Sequence, residues 1–354
     1  MDTSLDGYAK AQEAKFSLIF TNMKSFIFVT IFSTFFLFGS QLSAQKAQKT
    51  GFFMPADTLN KARAYTLIGG TSVGYAATMI GLNAAWYADF ERSGFHLFND
   101  WGEWNDMDKV GHLYSAYNES LILMYGGLWA GMPRKKAMWM GVGFGALFQT
   151  SIEVLDGFSE KWGFSIGDMA FNTGGLALLA AQELAWQEQR ITLKLSAHPV
   201  SYPRTTLNAT NGQGTTTVAD RAAELYGEKF YETFLKDYNG QTLWASVNIR
   251  SFLKKEDSKI PRWLNIAVGY GAENLLGGFA NTWTTDGLNY TASPIDFTRR
   301  RQFYLSFDID FTRIKSRKPF LKGLLICLNA LKFPAPTLEW NTHNGGFRFY
   351  PIYF

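Results

Sequence analysis

The chain has 354 residues, enough for two domains or one large one. Hydrophobic residues make up 47% and charged residues 18%, which excludes a disordered chain, and a mean hydropathy of −0.10 excludes a protein that is membrane helix throughout. The net charge of +4 comes with no Lys/Arg cluster dense enough to suggest nucleic acid, and the single cysteine, Cys327, excludes an internal disulfide and a cysteine-based zinc site.

Residues 1–22 read as an upstream extension before a start at Met23. Lys24, an apolar run from Phe26 to Gly39 and then Leu42-Ser43-Ala44 have the order of a secretory signal over residues 23–44, cleaved after Ala44. A retained anchor is the competing reading. Either way the chain is exported, to the periplasm or outer membrane of a Gram-negative bacterium.

Residues 58–189 predict a bundle of about four helices. Ala62–Ala88 carries one charge, Arg63, and is the best candidate for a membrane span. Asp108–Gly131 has apolar residues at helical spacing, Pro133 breaks it, and Arg134-Lys135-Lys136 opens a helix running to about Val154. A Gly/Phe-rich turn over Gly157–Gly163 follows, and Ser165 has the character of an N-cap for a helix from Ile166 to Gln187.

Residues 190–354 change to a period of two and predict an antiparallel β region. Strands are expected at 191–197, 243–249, 264–270, 303–311, 338–342 and 347–354, each with one apolar and one polar face. The stretch 278–292 can supply two more, and Asn344-Gly345 has hairpin character. Two accessory helices interrupt the strands, Ala219–Lys236 and Phe320–Leu331, and Ser201–Thr217 reads as a linker. The fold class is therefore α+β, a helical bundle followed by an antiparallel sheet. Alternating strands ending in Phe354 resemble outer-membrane barrels. Barrel-like integration into the outer membrane and a soluble sheet covered on one face by helices are both open, as is an interfacial role for the second helix.

Three helices carry polar stripes in apolar surroundings. Asp108, His112 and Glu119 share a helix face, with Lys109 beside them; Gln149, Glu153 and Asp156 share another; Asp168 and Asn172 repeat the i, i+4 spacing after Ser165. Burying that many ionisable groups is costly unless they meet, so they are expected to converge. Such a cluster can fix helix register, with Asp108 pairing Lys109 or His112, Asp168 capping a helix and Asn172 bridging helices. It can also be a metal centre, with His112, Glu153 and Asp168 as N/O ligands for zinc or manganese, or an acid–base site using His112, Asp108 and Asp168. Binding a polar headgroup or a partner is the third option. There is no HExxH, G-x-S-x-G, P-loop or dinucleotide fingerprint, so the sequence names no cofactor and no reaction.

The ordered elements Asp108-Lys109-x-x-His112, Gln149-x-x-x-Glu153 and Phe164-Ser165-x-x-Asp168-x-x-x-Asn172-x-x-Gly175 resemble the YfiM-like family of predicted periplasmic lipoproteins, domain of unknown function 2279. The layout is also similar to VanZ-like membrane proteins. The resemblance covers about residues 60–185. Lys236-Asp237-Tyr238-Asn239-Gly240-Gln241-Thr242 and Pro334-Ala335-Pro336-Thr337-Leu338-Glu339 look like the longer form found in Bacteroidetes-type bacteria. The resemblance implies an envelope location and a matched motif, not a reaction. A lipoprotein needs a Cys after its signal, and position 45 is Gln, so acylation is not expected there. The leading expectation is a structural or interaction protein of the envelope, with a hydrolase acting on a lipid or cell-wall group as the alternative.

Overall fold

Asn60 opens the first helix by accepting the Arg63 N–H at 3.1 Å, an ordinary N-cap. The computed structural model describes residues 52–83, 87, 91–253, 259–343 and 345–354. The extension, the signal, its cleavage site and Gln45 lie outside the described residues, as do positions 84–86 and 88 of the expected first helix and Asn344 of the expected hairpin turn. Four helices come first: α1 (Lys61–Leu82), α2 (Met107–Trp129), α3 (Arg134–Gly157) and α4 (Ile166–Trp186). Gly131, at a φ of 82°, ends α2, Pro133 precedes the first turn of α3 where no backbone N–H is needed, and Ser165 Oγ caps α4 by accepting the Asp168 N–H at 3.0 Å. The expected span over Ala62–Ala88 is not met: α1 is diluted by Gly, Thr and Ser, and no helix among the described residues is long and apolar enough to cross a membrane.

Glycine lets α3 and α4 sit flush against α2. A Cβ on Gly141 would lie 2.2 Å from the Ser120 carbonyl oxygen, and one on Gly175 would lie 2.4 Å from that of Leu113. The two helices therefore approach α2 backbone to backbone, which brings their polar stripes within reach of its own. Tyr117, Leu121, Met124, Met138 and Leu179 fill the remaining space, together with Leu193 from the sheet.

The sheet has six antiparallel strands in the order β1 (Ile191–Ala197), β4 (Gln241–Val247), β5 (Leu264–Glu273), β8 (Arg300–Ile309), β9 (Ala335–Asn341) and β10 (Phe347–Tyr353). All six expected strands are present. The sheet is not a closed barrel. It curls until β1 meets the residues leading into β9: the Leu195 N–H donates to the Ala330 carbonyl and the Lys332 N–H to the Leu195 carbonyl, both at 2.9 Å.

Other departures have local causes. The linker region folds into a small hairpin, β2 (Thr206–Asn208) with β3 (Thr215–Thr217), held because Leu207 packs against a cluster containing Val218, Trp283 and Tyr290. The expected helix 219–236 is two helices, α5 (Val218–Tyr226) and α6 (Phe230–Lys236), since Gly227 takes a φ of 79° between them. Residues 278–292 do yield two strands, β6 (Thr282–Thr285) and β7 (Leu288–Thr291), but these pair only with each other. The last helix, α7 (Pro319–Leu328), connects β8 to β9.

The faces of the sheet are inverted relative to an ordinary half-buried sheet. Polar residues point into the curl and are buried. Lys194 lies 2.8 Å from Asp308, and the Ser246 hydroxyl donates to that carboxylate at 2.6 Å. Lys332 donates to the carbonyls of Phe307 and Phe333, and burial pushes its ammonium down to about 8. Tyr353 donates to Tyr304 at 3.1 Å and lies 2.8 Å from the Thr242 hydroxyl. Apolar residues point outward. On β1, β4 and the end of β5 the outer face is covered by α2, with Met107, Leu243, Leu275 and Tyr270 in contact. On β8, β9 and β10 nothing among the described residues covers it, and it is bare.

Candidate functional site

The site begins at the turn before α2. Trp104, Asn105 and Asp106 all have φ between 50° and 61°, a left-handed run that L residues avoid. The sheet holds them there. Gly278 accepts the Trp104 N–H at 2.7 Å, Tyr270 donates to the Asn105 carbonyl, and Arg301 pairs with Asp106 at 2.5 Å. This clamp fixes the start of α2 and so the positions of Asp108, Lys109 and His112 on its first turns.

His112 is the centre. Its Nδ1 lies 3.1 Å from Asn172 Oδ1 and 3.6 Å from Glu153 Oε1. Its Nε2 faces Asp108 Oδ2 at 3.9 Å and Asp168 Oδ2 at 3.8 Å, too far for hydrogen bonds. One ligand atom from each of Asp108, His112 and Asp168 lies within 4.8 Å of the others. Glu153 and Asn172 are 1% and 2% exposed, yet Glu153 Oε1 and Asn172 Nδ2 have no hydrogen-bond partner among the described residues. The other Glu153 oxygen accepts the Ser165 N–H at 3.2 Å.

Around this centre the groups are paired. Lys109 is buried between Asp100 at 2.6 Å and Asp168 at 2.7 Å. The Ser165 hydroxyl donates to Asp100 at 2.6 Å, Gln149 donates to Glu119 at 2.9 Å, and the Tyr87 hydroxyl donates to Asp156 at 2.7 Å. Tyr238, from the segment between α6 and β4, donates to Asp108 at 2.9 Å.

Negative charge exceeds positive here, and the titrations reflect it. Burial raises the Glu153 carboxyl to about 7 against the pull of His112. Burial raises Asp168 as well, and Asp108 adds to it. Burial also raises Glu119 to about 7 and Asp156 to about 6. At His112 burial works against the imidazolium, but Asp108, Asp168 and Glu153 outweigh it and lift the ring to about 9. Asp100 moves the other way: burial opposes its charge, but hydrogen bonds with Asp168, Lys109 and Ser165 hold it below the usual range.

All ten residues singled out in the sequence lie in this region. Asp108, His112, Glu153, Asp168 and Asn172 form the centre, and Lys109, Ser165, Glu119, Gln149 and Asp156 surround it. Two expected partnerships differ and a third holds. Lys109 turns to Asp100 and Asp168 rather than Asp108, because it points into the α4 interface. Ser165 supplies the cap, freeing the Asp168 side chain for Lys109. Asn172 does bridge helices, through His112. Sequence reasoning missed Asp100 and Tyr238, which sit outside the periodic helices, and Tyr87, at the end of the expected first helix. It also missed Glu103, raised to about 7 by burial and by Asp108 and Asp100.

Residues 97–182 match the DUF2279 family, described as a predicted periplasmic lipoprotein. The DUF2279 segment holds the turn, α2, α3 and nearly all of α4, and with them every site residue found in the sequence. Its description agrees with export to the envelope. The sheet lies beyond the match, and no curated protein and no solved structure matches the chain.

Proposed function

We propose that the helical half of this exported envelope protein holds a divalent cation at His112, Asp108 and Asp168, and that the centre is an acid–base site for hydrolysis. The observation that carries this reading is the centre itself. His112 Nε2 faces two carboxylates without bonding either, while a buried Glu153 oxygen beside the same ring has no hydrogen-bond partner. An N/O/O donor set suits zinc or manganese. The gaps of 3.8 and 3.9 Å are slightly wider than the roughly 3.4 Å edge of a tetrahedron with ~2.1 Å bonds, and Asp108, the most exposed of the three, has room to close. Asn172 orients the ring from its other nitrogen, as partners of metal-bound histidines do. Glu153 lies against Nδ1, the side of the ring away from the nitrogen that would face the cation, so with Asn172 it would steady the ring, and the cation would supply a polarised water on the Nε2 side.

The structural reading keeps the surrounding pairs. Lys109 with Asp100 and Asp168, Gln149 with Glu119, and Tyr87 with Asp156 tie helices together and need no ligand. The substrate class this reading favours is a lipid or cell-wall group, given the envelope location.

Calorimetric titration of the purified chain with zinc and with manganese tests the proposal. One ion per chain should bind, raise the melting temperature, and be removed by chelator. His112→Gln and Asp168→Asn should fold, lose the ion and fail to complement a deletion strain. Absence of uptake in the wild type, with both variants complementing, overturns the reading.

A further inference from the structure

The bare outer face of the sheet is ordered in rungs. Register aligns Phe303, Trp340 and Phe347 across three strands, with ring centroids 5.3 Å apart for Phe303 and Trp340, and Tyr270 borders this rung where α2 begins to cover the sheet. Two residues along, on the same face, register aligns Val268, Leu305, Leu338 and Phe349. Ile266 and Phe307 form the next pair. No charged residue stands among them. Leu305, Phe307 and Phe349 are 51%, 53% and 64% exposed. Their neighbours on the inner face, Tyr304, Ser306 and Asp308, are buried and hydrogen-bonded, so turning the strands over would break the Lys194–Asp308 pair and the hydroxyl bonds around it.

From the end of β8 hangs α7, with Leu321, Leu324 and Leu328 exposed. Lys315, Arg317, Lys318 and Lys322 are exposed before and within its first turns. An apolar helix face beside a basic cluster complements a bilayer surface carrying anionic headgroups. An aromatic rung bordering an aliphatic one is the order of side chains across a membrane interface.

We propose that this wall and α7 dock onto a phospholipid leaflet carrying negative charge. The depth of the wall sets the mode. Its three rungs run from Phe303 to Phe307, four residue steps or about 13 Å of strand, against about 30 Å of hydrocarbon in a bilayer. The sheet therefore inserts into one leaflet and does not span. The inference is independent of the cation centre, which is built from α2, α3 and α4 and shares no residue with the bare strands.

Flotation of the full mature chain on phosphatidylethanolamine/phosphatidylglycerol vesicles, with phosphatidylcholine vesicles beside them, tests the proposal. The wild type should float with the anionic vesicles. Leu305→Thr/Leu338→Thr/Phe349→Thr should keep the sheet, and its bound fraction should fall at least about tenfold. Lys318→Gln/Lys322→Gln should lose the preference for anionic over neutral vesicles. Quenching by brominated lipid, removed in part by Trp340→Phe, reports contact even if the triple variant fails to fold. Wild type left at the bottom of the gradient overturns the proposal. So does a triple variant that floats unchanged, quenching that is identical in Trp340→Phe, or a lipid-free dimer that the triple substitution converts to monomer.

Discussion

Lys109→Met removes a charge that lies 1% exposed between two carboxyl groups, at 2.6 and 2.7 Å. Methionine matches its length, so packing is nearly kept and the loss is electrostatic. Asp100 would remain with the Ser165 hydroxyl alone among its strong donors, and Asp168 would lose its closest cation and keep only the His112 ring at 3.8 Å. Removing one partner of a buried pair costs about 3–5 kcal/mol, because the other charge is left behind. With a urea slope of about 2 kcal/mol/M, the midpoint at pH 7 should fall by roughly 1.5–2.5 M. The cost should shrink in acid. Without the ammonium, the folded-state pKa of the carboxyls rises above the unfolded value, so the variant regains stability as pH falls toward 5 and loses it as pH rises. Lys109→Met/Asp168→Asn should recover part of the loss, giving a coupling energy of at least about 1 kcal/mol. A shift below about 0.5 M, or one equal at pH 5 and pH 7, would refute the claim that Lys109 neutralises this cluster.

Two further outcomes follow from packing and titration. Gly141→Ala drives a methyl group to 2.2 Å from the Ser120 carbonyl oxygen, so α3 must move off α2; thermal melting should show a loss of about 2 kcal/mol, and a neutral result would contradict the flush helix contact. Glu119 is held at about 7 by burial, above its ordinary 4.5, so the folded chain keeps a proton that the unfolded chain releases. Its contribution is complete below about pH 4.5 and lost as pH rises through 7. Glu119→Gln should therefore gain on the wild type across that window in urea melts, and a constant difference between the two would refute the assignment.

The strands and helices were legible because their apolar periods, two and 3.6, run unbroken for several turns or pleats. The site residues were legible for the same reason: His112, Glu153 and Asp168 interrupt apolar faces where an ionisable group needs partners. What the sequence withheld was direction. Alternation in Phe303–Phe311 defines two faces without saying which one curls inward, and only the pairing of Lys194 with Asp308 decides it. Asp100 and Tyr238 stand in irregular segments, so no period marks them, and the left-handed run at Trp104–Asp106 contains no glycine to announce it. Gly227, by contrast, was visible but was read through as part of one helix.

The strap that ties Ala330 and Lys332 to Leu195 has a kinetic side. It joins residues more than a hundred positions apart, and the bond from Tyr114 to Ala330 closes a loop of 216. Contacts this distant form late, because loop-closure entropy must be met before they reward the chain. A chain that crosses a membrane unfolded would have its helical half in the envelope while the residues that complete the clamp and the curl are still arriving. During that interval the apolar strands lie open to water and to one another. The slow step of maturation is then the arrival of the last forty residues, and shortening the chain from that end should leave a helical species that collects holdases rather than a smaller working protein.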